Sequence, residues 1–227
     1  METFFLLRHG ETAWNKQRRI MGRLDIPLDR DGVEQARRLA KLIPALELDA
    51  IYTSPLKRAM QTARLLARGN SLRVTKERGL TELAFGRWAG ACFDDLVQDP
   101  LYHRFLKSPL TTRLPGGETI KDVQRRGVRT MQHAAEEFPN GRLLFVSHGD
   151  VIRAMICHWL RLPLQEFRRL RIDPGSLTVV QTDGDWAEIK YINYLPKITQ
   201  ISNEPYISFK PTLRPAQGKR KKTRNRR

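Results

Sequence analysis

An α/β fold with a mostly parallel sheet, helices on both faces and an antiparallel portion near its end is what this 227-residue chain predicts. Three observations lead there. Apolar runs of strand length alternate with segments of helical spacing along most of the chain. Two of those runs, Phe4-Phe5-Leu6-Leu7 and Leu143-Leu144-Phe145-Val146, end alike, in Arg8-His9-Gly10 and Ser147-His148-Gly149. The last two runs alternate around Asp183-Gly184, a hairpin signal.

In chain order, Thr3 to Leu7 reads as a buried strand. Asp31 to Leu46 carries helical apolar spacing through Val33, Ala36, Leu39, Ala40 and Ile43, ended by Pro44 and a short turn. Asp49 to Thr53 is a second strand, followed by Ser54 as N-cap, Pro55 at the first helical position and a helix to about Ala67. Leu72 to Lys76 is a third strand. From about Gly86 to Gly117 the alternation breaks into short helical pieces among Pro100, Pro109 and Pro115, which read as an insertion over the active edge. A turn at Pro115-Gly116-Gly117-Glu118-Thr119 enters a long helix with Ile120, Val123, Gly127, Val128, Met131 and Ala135 on one face. Arg142 to Val146 is the strand carrying the second histidine, Asp150 to about Leu160 the next helix, and Leu177 to Gln181 with Trp186 to Ile192 the closing hairpin.

At 40% hydrophobic residues the chain can bury one sizeable core, so a single catalytic domain over residues 1–209 is expected. No apolar run is long enough to cross a bilayer, and Phe4 to Leu7 lacks a basic leader and a cleavage site. The chain therefore reads as soluble, cytoplasmic and without a membrane partner. Cys92 and Cys157 are two distant thiols with no C-x-x-C pairing, expected to be reduced, with Cys157 packed on a helix. The net charge of +17 resembles a nucleic-acid binder until it is divided: nine basic and no acidic residues follow Phe209, leaving +8 for the body. Residues 210–227 form a basic tail expected to be disordered and solvated, with weak nucleic-acid or anionic-surface contact as the competing use.

If the two His-Gly strands are parallel neighbours, His9 and His148 meet at the carboxyl edge of the sheet, where open α/β folds bind ligands. The glycines after them remove a Cβ and let backbone approach a ligand. Arg8 precedes the first histidine, and Arg58 lies on the first turn of a helix whose N-terminus faces the same edge. Guanidinium groups and a helix N-terminus favour an anion, and a phosphate monoester is the leading dianion. A neutral imidazole can take a phosphoryl group as nucleophile, with charge stabilisation from the arginines and a second histidine. Glu82 is the carboxyl group expected to protonate the leaving oxygen. His103, His133 and His158 lack such partners and read as surface or packing residues. No H-E-x-x-H motif or carboxylate cluster suggests a metal.

Together Arg8-His9-Gly10-Glu11-Thr12 with Trp14-Asn15, Gly22-Arg23-Leu24-Asp25-Ile26-Pro27-Leu28, Ser54-Pro55-Leu56-Lys57-Arg58-Ala59, Thr81-Glu82 with Phe85-Gly86-Arg87-Trp88, Pro115-Gly116-Gly117-Glu118 and Ser147-His148-Gly149 resemble the histidine phosphatase superfamily in its phosphoglycerate-mutase-like branch. The resemblance spans about Thr3 to Tyr191 and is similar to α-ribazole and broad-specificity phosphatases. It implies a three-layer α/β/α sandwich with a substrate-capping insertion, no metal or other cofactor, and a phosphohistidine intermediate on His9. Arg8, Arg58 and His148 would form the phosphate pocket, Glu82 would be the proton donor, and Asn15 would also contact the phosphoryl group. Gly22, Arg23 and Gly149 join the expected substrate-binding set, with Trp88 and Glu118 open between substrate and structural roles. Met21 and Ala89 stand where phosphatases of this kind often carry Gln and Glu, and Gly22-Arg23-Leu24-Asp25 lacks the Gly-Trp-x-Asp pattern of glycolytic mutases. A phosphatase acting on a small phosphorylated metabolite is therefore expected over a phosphoglycerate-type mutase or an inert binding protein using the tail; the residues leave homodimerisation open.

Overall fold

The computed structural model describes residues 1–69, 71–184 and 186–195. Strands run over Glu2–Arg8 (β1), Ala50–Thr53 (β2), Val74–Lys76 (β3), Arg142–Ser147 (β4), Leu177–Thr182 (β5) and Ala187–Tyr194 (β6). They form one sheet in the order β3-β2-β4-β1-β5-β6. The first four in that order are parallel, whereas β5 runs antiparallel to β1 and β6 antiparallel to β5. Arg8 pairs with Ser147 and Thr53 with Val146, so β1 and β4 end level and β2 ends one residue short of them. Their next residues, His9, His148 and Ser54, follow at the same edge of the sheet.

Both faces of the sheet are covered, which is why β1 is continuously apolar: Phe4, Phe5, Leu6 and Leu7 are all buried. Phe5 and Leu7 join Ile51, Leu144 and Val146 in one core cluster, which the helices Arg30–Ala40 (α2) and Lys57–Leu66 (α3) complete through Leu39, Ala59, Ala63 and Leu66. Phe4, Leu6 and Phe145 face the other way, onto Ile120–Glu137 (α6) and Gly149–Trp159 (α7) through Val123, Met131, Val151 and Met155. The result is the expected three-layer α/β/α sandwich. A short helix at Ala13–Lys16 (α1) follows β1. The segment after β3 holds Phe93–Leu96 (α4) and Pro100–Lys107 (α5), the inserted cap. It is anchored by Trp88, packed edge-on against Tyr102 and Phe105, with its Nε1 donating to Asp99. Trp88 is thus a cap-core residue.

Several local expectations shift. The helix expected over Asp31 to Leu46 ends at Ala40, and Pro44 sits in a separate 3₁₀ turn at Ile43–Leu46. The expected Ser54 cap and Pro55 start are not observed: α3 begins at Lys57 after Leu56, with no side-chain cap. Ser54 is occupied elsewhere, as described below. Glu118 precedes the N-cap Thr119, whose capping box is closed by Asp122. Gly184, at φ +97°, makes the turn between β5 and β6. Cys157 is buried on α7, and both cysteines are free. No helix among the described residues is long and apolar enough to cross a membrane. The basic tail, 210–227, lies outside the described residues.

Candidate active site

A cleft of about 370 Å³ opens at the carboxyl edge of β1, β2 and β4. His9, 1% exposed, is buried against Arg58, a residue of the cleft lining. Its Nδ1 is 2.7 Å from the carbonyl oxygen of Gly10 and its Nε2 is 3.2 Å from Nε of Arg58. A carbonyl can only accept and a guanidinium can only donate, so the proton is on Nδ1 and the lone pair on Nε2. The loop carrying His9 is pinned by the Gly10 N–H to Thr62 Oγ1 and by the Gly175 N–H to the His9 carbonyl.

Gly10 meets a packing requirement that its sequence context does not show. A Cβ there would meet the Gly32 carbonyl oxygen at 2.5 Å, and one on Gly32 would meet that of Glu11 at 2.1 Å. The two glycines let the loop after β1 lie directly on the first turn of α2. Gly149, in contrast, lines the cleft beside the Arg8 guanidinium.

Arg58 is fully buried on the first turn of α3, with Nη1 donating to the carbonyl of Leu24 and Nη2 to that of Gly22. Gly22 (φ +49°) thus both lines the cleft and orients Arg58. Burial lowers the Arg58 pKa to about 10, which leaves it cationic at neutral pH. Arg8 donates through Nη1 to Ile172, while its Nε is buried with no partner among the described residues. His148 is buried with its ring 5.2 Å from that of His9; its Nε2 lies 2.7 Å from Ser54 Oγ, and its Nδ1 is also unpartnered. Burial, reinforced by Arg58, holds both imidazoles well below the usual histidine pKa, so both are neutral near pH 7.

Glu82 follows a 3₁₀ turn at Arg78–Leu80 and faces the same cleft. Its Oε1 accepts from the Leu83 N–H at 2.8 Å. Burial first, then the negative charge of Asp150, raises its pKa to about 7, against the opposing pull of the Leu83 N–H, Arg58 and Arg8. The backbone of this loop is held by Arg126, which donates to the carbonyls of Gly79 and Glu82 and ion-pairs with Glu118. Asn15 lines the cleft; its Oδ1 caps the Thr12 N–H, and its Nδ2 has no partner among the described residues.

Arg8, His9, Asn15, Gly22, Arg58, Glu82, His148 and Gly149 are thus brought together. Arg23 stands beside this set, outside the cleft lining: its Nη2 pairs with Glu118 at 2.8 Å and its Nε donates to the Glu82 carbonyl at 3.4 Å. His103, His133 and His158 are exposed, away from the site. Among the described residues no group of three or more His, Cys, Asp or Glu side chains could hold a metal ion. Residues that sequence reasoning did not place here are Ser54 as the partner of His148, Asp150 paired with Arg153, and the outer residues Arg18, Arg19, Phe93 and Arg168. Only Asp150, one residue from the second His-Gly, carried a local signal.

The model of the histidine phosphatase superfamily (branch 1) matches residues 4–194. Phosphoserine phosphatase 1 of Hydrogenobacter thermophilus is 31% identical over 185 residues, 81% of this chain and 88% of that protein. Phosphoglycerate mutase-like protein 4 of Arabidopsis thaliana is 32% identical over 155 residues, 66% of this chain and 67% of that protein. The solved structure of YhfR from Bacillus stearothermophilus superposes with a TM-score of 0.79 at 32% identity, covering 84% of this chain and 96% of that one.

Proposed function

The chain belongs to the histidine phosphatase superfamily, and from that membership we propose that it hydrolyses small phosphomonoesters with His9 as the phosphorylated nucleophile and Glu82 as the proton carrier. The supporting observation is the surround of His9: a buried Nε2 that carries the lone pair, near two buried nitrogens, Arg8 Nε and His148 Nδ1, that have no partner among the described residues. Buried polar atoms are rarely left without partners, so an unpaired pair in a cleft suits an anionic ligand. Arg8 and Arg58 supply the positive charge that a phosphoryl dianion needs, without a metal ion.

In the first half reaction the ester's phosphoryl group rests on Arg8, Asn15 and the ring of His148, which takes a proton from solvent as the dianion arrives and returns it to solvent when phosphate leaves. His9 Nε2 attacks phosphorus in line, the P–N bond forms, and the ester P–O bond breaks. Glu82, half protonated at neutral pH, gives its proton to the departing alkoxide. The bound dianion raises the Glu82 pKa further, which favours the acid form at the moment it is used. In the second half reaction the Glu82 carboxylate takes a proton from water as the water oxygen attacks phosphorus. The P–N bond breaks, inorganic phosphate leaves, and Glu82 is protonated again.

Similarity to a phosphoglycerate mutase-like protein keeps a second reading, in which the phosphoryl group returns to a different oxygen of the substrate. The test is phosphate release from a panel of phosphomonoesters in EDTA, with wild type and His9→Ala. Release that survives chelation and vanishes in the variant is expected. Isomerisation of a phosphoglycerate with no phosphate release would establish the mutase instead, and release by His9→Ala at the wild-type rate would overturn both.

A further inference from the structure

The phosphoryl pocket needs two arginines, yet six line the cleft: Arg8 and Arg58 at the base, then Arg18, Arg19, Arg153 and Arg168 toward the mouth. Two of the outer four are neutralised. Arg153 pairs with Asp150 at 2.9 Å and Arg18 with Asp94 at 3.0 Å. The other two are held in place by groups that carry no charge. Arg19 donates through Nε and Nη2 to the carbonyl of Gly90 and stacks 4.6 Å above the Trp14 ring. Arg168 lies 4.9 Å over Phe105 of the cap helix α5 and 5.8 Å over Phe167, and forms no ion pair among the described residues. A guanidinium stacked on an aromatic ring has its plane fixed while its N–H edge stays available, an arrangement suited to a carboxylate or phosphate.

Surface arginines usually point into solvent or pair with a nearby carboxylate. Here two guanidiniums with no ion pair among the described residues come from different parts of the chain, Arg19 from the loop after α1 and Arg168 from the 3₁₀ turn Leu164–Arg169 after α7. Both line the same cavity as Arg8, Arg58 and Glu82. The cation on Arg168 is steadied by a ring of the cap itself, so the cap contributes to a charge site outside the phosphoryl pocket.

We propose that Arg19 and Arg168 form a second anion subsite, so that the substrate is a phosphomonoester bearing another anionic group, a carboxylate or a second phosphate, beyond the ester. This rests on the phosphatase reading above and deepens it. Arg168 is the specificity-determining residue of the pair, because its N–H groups have no hydrogen-bond partner among the described residues.

Two ligand pairs isolate the second anion. 3-Phosphoglycerate and glycerol 1-phosphate differ only by a carboxylate in place of CH₂OH. Propane-1,3-diol bisphosphate and 3-hydroxypropyl phosphate differ only by the second phosphate. Affinities measured by calorimetry on His9→Ala make the result independent of turnover, and p-nitrophenyl phosphate hydrolysis by the wild type tests the phosphatase reading separately. The member of at least one pair that carries the second anionic group is expected to bind about tenfold or more tighter, the range of one charge-assisted contact. The pair that responds identifies the carboxylate or the phosphate. Adding Arg168→Gln, or independently Arg19→Gln, should remove most of that preference, whereas Arg169→Gln, outside the cleft, should retain it. Equal affinity within both pairs, or a preference untouched by both variants, overturns the proposal even if p-nitrophenyl phosphate is hydrolysed. Inertness toward that ester with an intact anion preference would instead count against the phosphatase reading alone.

Discussion

Replacing Ser54 by alanine removes one oxygen atom from a place where it cannot be replaced by solvent. Ser54 and His148 are both fully buried, and Ser54 Oγ lies 2.7 Å from His148 Nε2. The hydroxyl also accepts from the Leu56 N–H, but at 3.3 Å that bond is long and contributes little. The dominant loss is therefore the imidazole's partner. A buried polar atom left unpaired costs about 1–3 kcal/mol. For a chain of this size, that lowers Tm by about 2–12 °C, since each kcal/mol moves it by about 2–4 °C. If Ser54 also fixes the tautomer that leaves His148 Nδ1 free for the phosphoryl group, the same energy reappears at the transition state. It then costs about 5- to 150-fold in kcat/KM. The assays are thermal unfolding and p-nitrophenyl phosphate hydrolysis. A Tm and kcat/KM both within error of wild type would refute the hydrogen bond's importance. A lowered Tm with unchanged kcat/KM would refute its role in orienting His148.

Glu82→Gln should remove the alkaline limb of the kcat/KM profile, which in the wild type falls as pH rises through about 7, because the acid form is the one that serves the leaving group. The native carboxyl holds its proton to higher pH than the unfolded chain does, so this group destabilises the fold progressively as pH rises from the ordinary carboxyl range to about 7. The Gln variant should accordingly gain stability relative to wild type above pH 7; a wild-type pH–rate profile and an unchanged relative stability would count against the assignment. Because His9 and His148 are held well below pKa 6.5, the acid limb should lie below that pH. Gly32→Ala lies inside α2, where helix propensity alone predicts a gain of about 1 kcal/mol. Its Cβ would instead collide with the Glu11 backbone at 2.1 Å, so denaturant unfolding should show a loss of about 1–3 kcal/mol, and a stabilised variant would contradict the packing described here.

What could be read from the residues alone is governed by range. The two His-Gly strand ends were legible because buried parallel strands are continuous apolar runs, and the β1–β4 register then places His9 beside His148. Arg58 was legible from its place at a helix start facing the same edge. Ser54 misled, since Ser-Pro before a helix is the local grammar of a cap, whereas its hydroxyl contacts a residue 94 positions away. The packing role of Gly10 was hidden for the same reason: the atom that excludes its Cβ belongs to Gly32. Arg23 sits within a recognisable motif, yet a carboxylate from the far end of the insertion, Glu118, claims its charge. Arg126, which holds the Glu82 loop, and Arg168, which reaches the cap, are helix-surface or turn arginines in sequence. Nothing local separates them from the many other arginines of a chain this basic.

The central claim is a covalent bond between phosphorus and His9 Nε2. Incubating the protein with a labelled phosphomonoester, quenching in alkali and mapping the acid-labile label by peptide sequencing tests it most directly. Label on the peptide containing His9, lost in His9→Ala and retained longer in Glu82→Gln, is the predicted result. Turnover with no trapped label, or label on His148 instead, would contradict it.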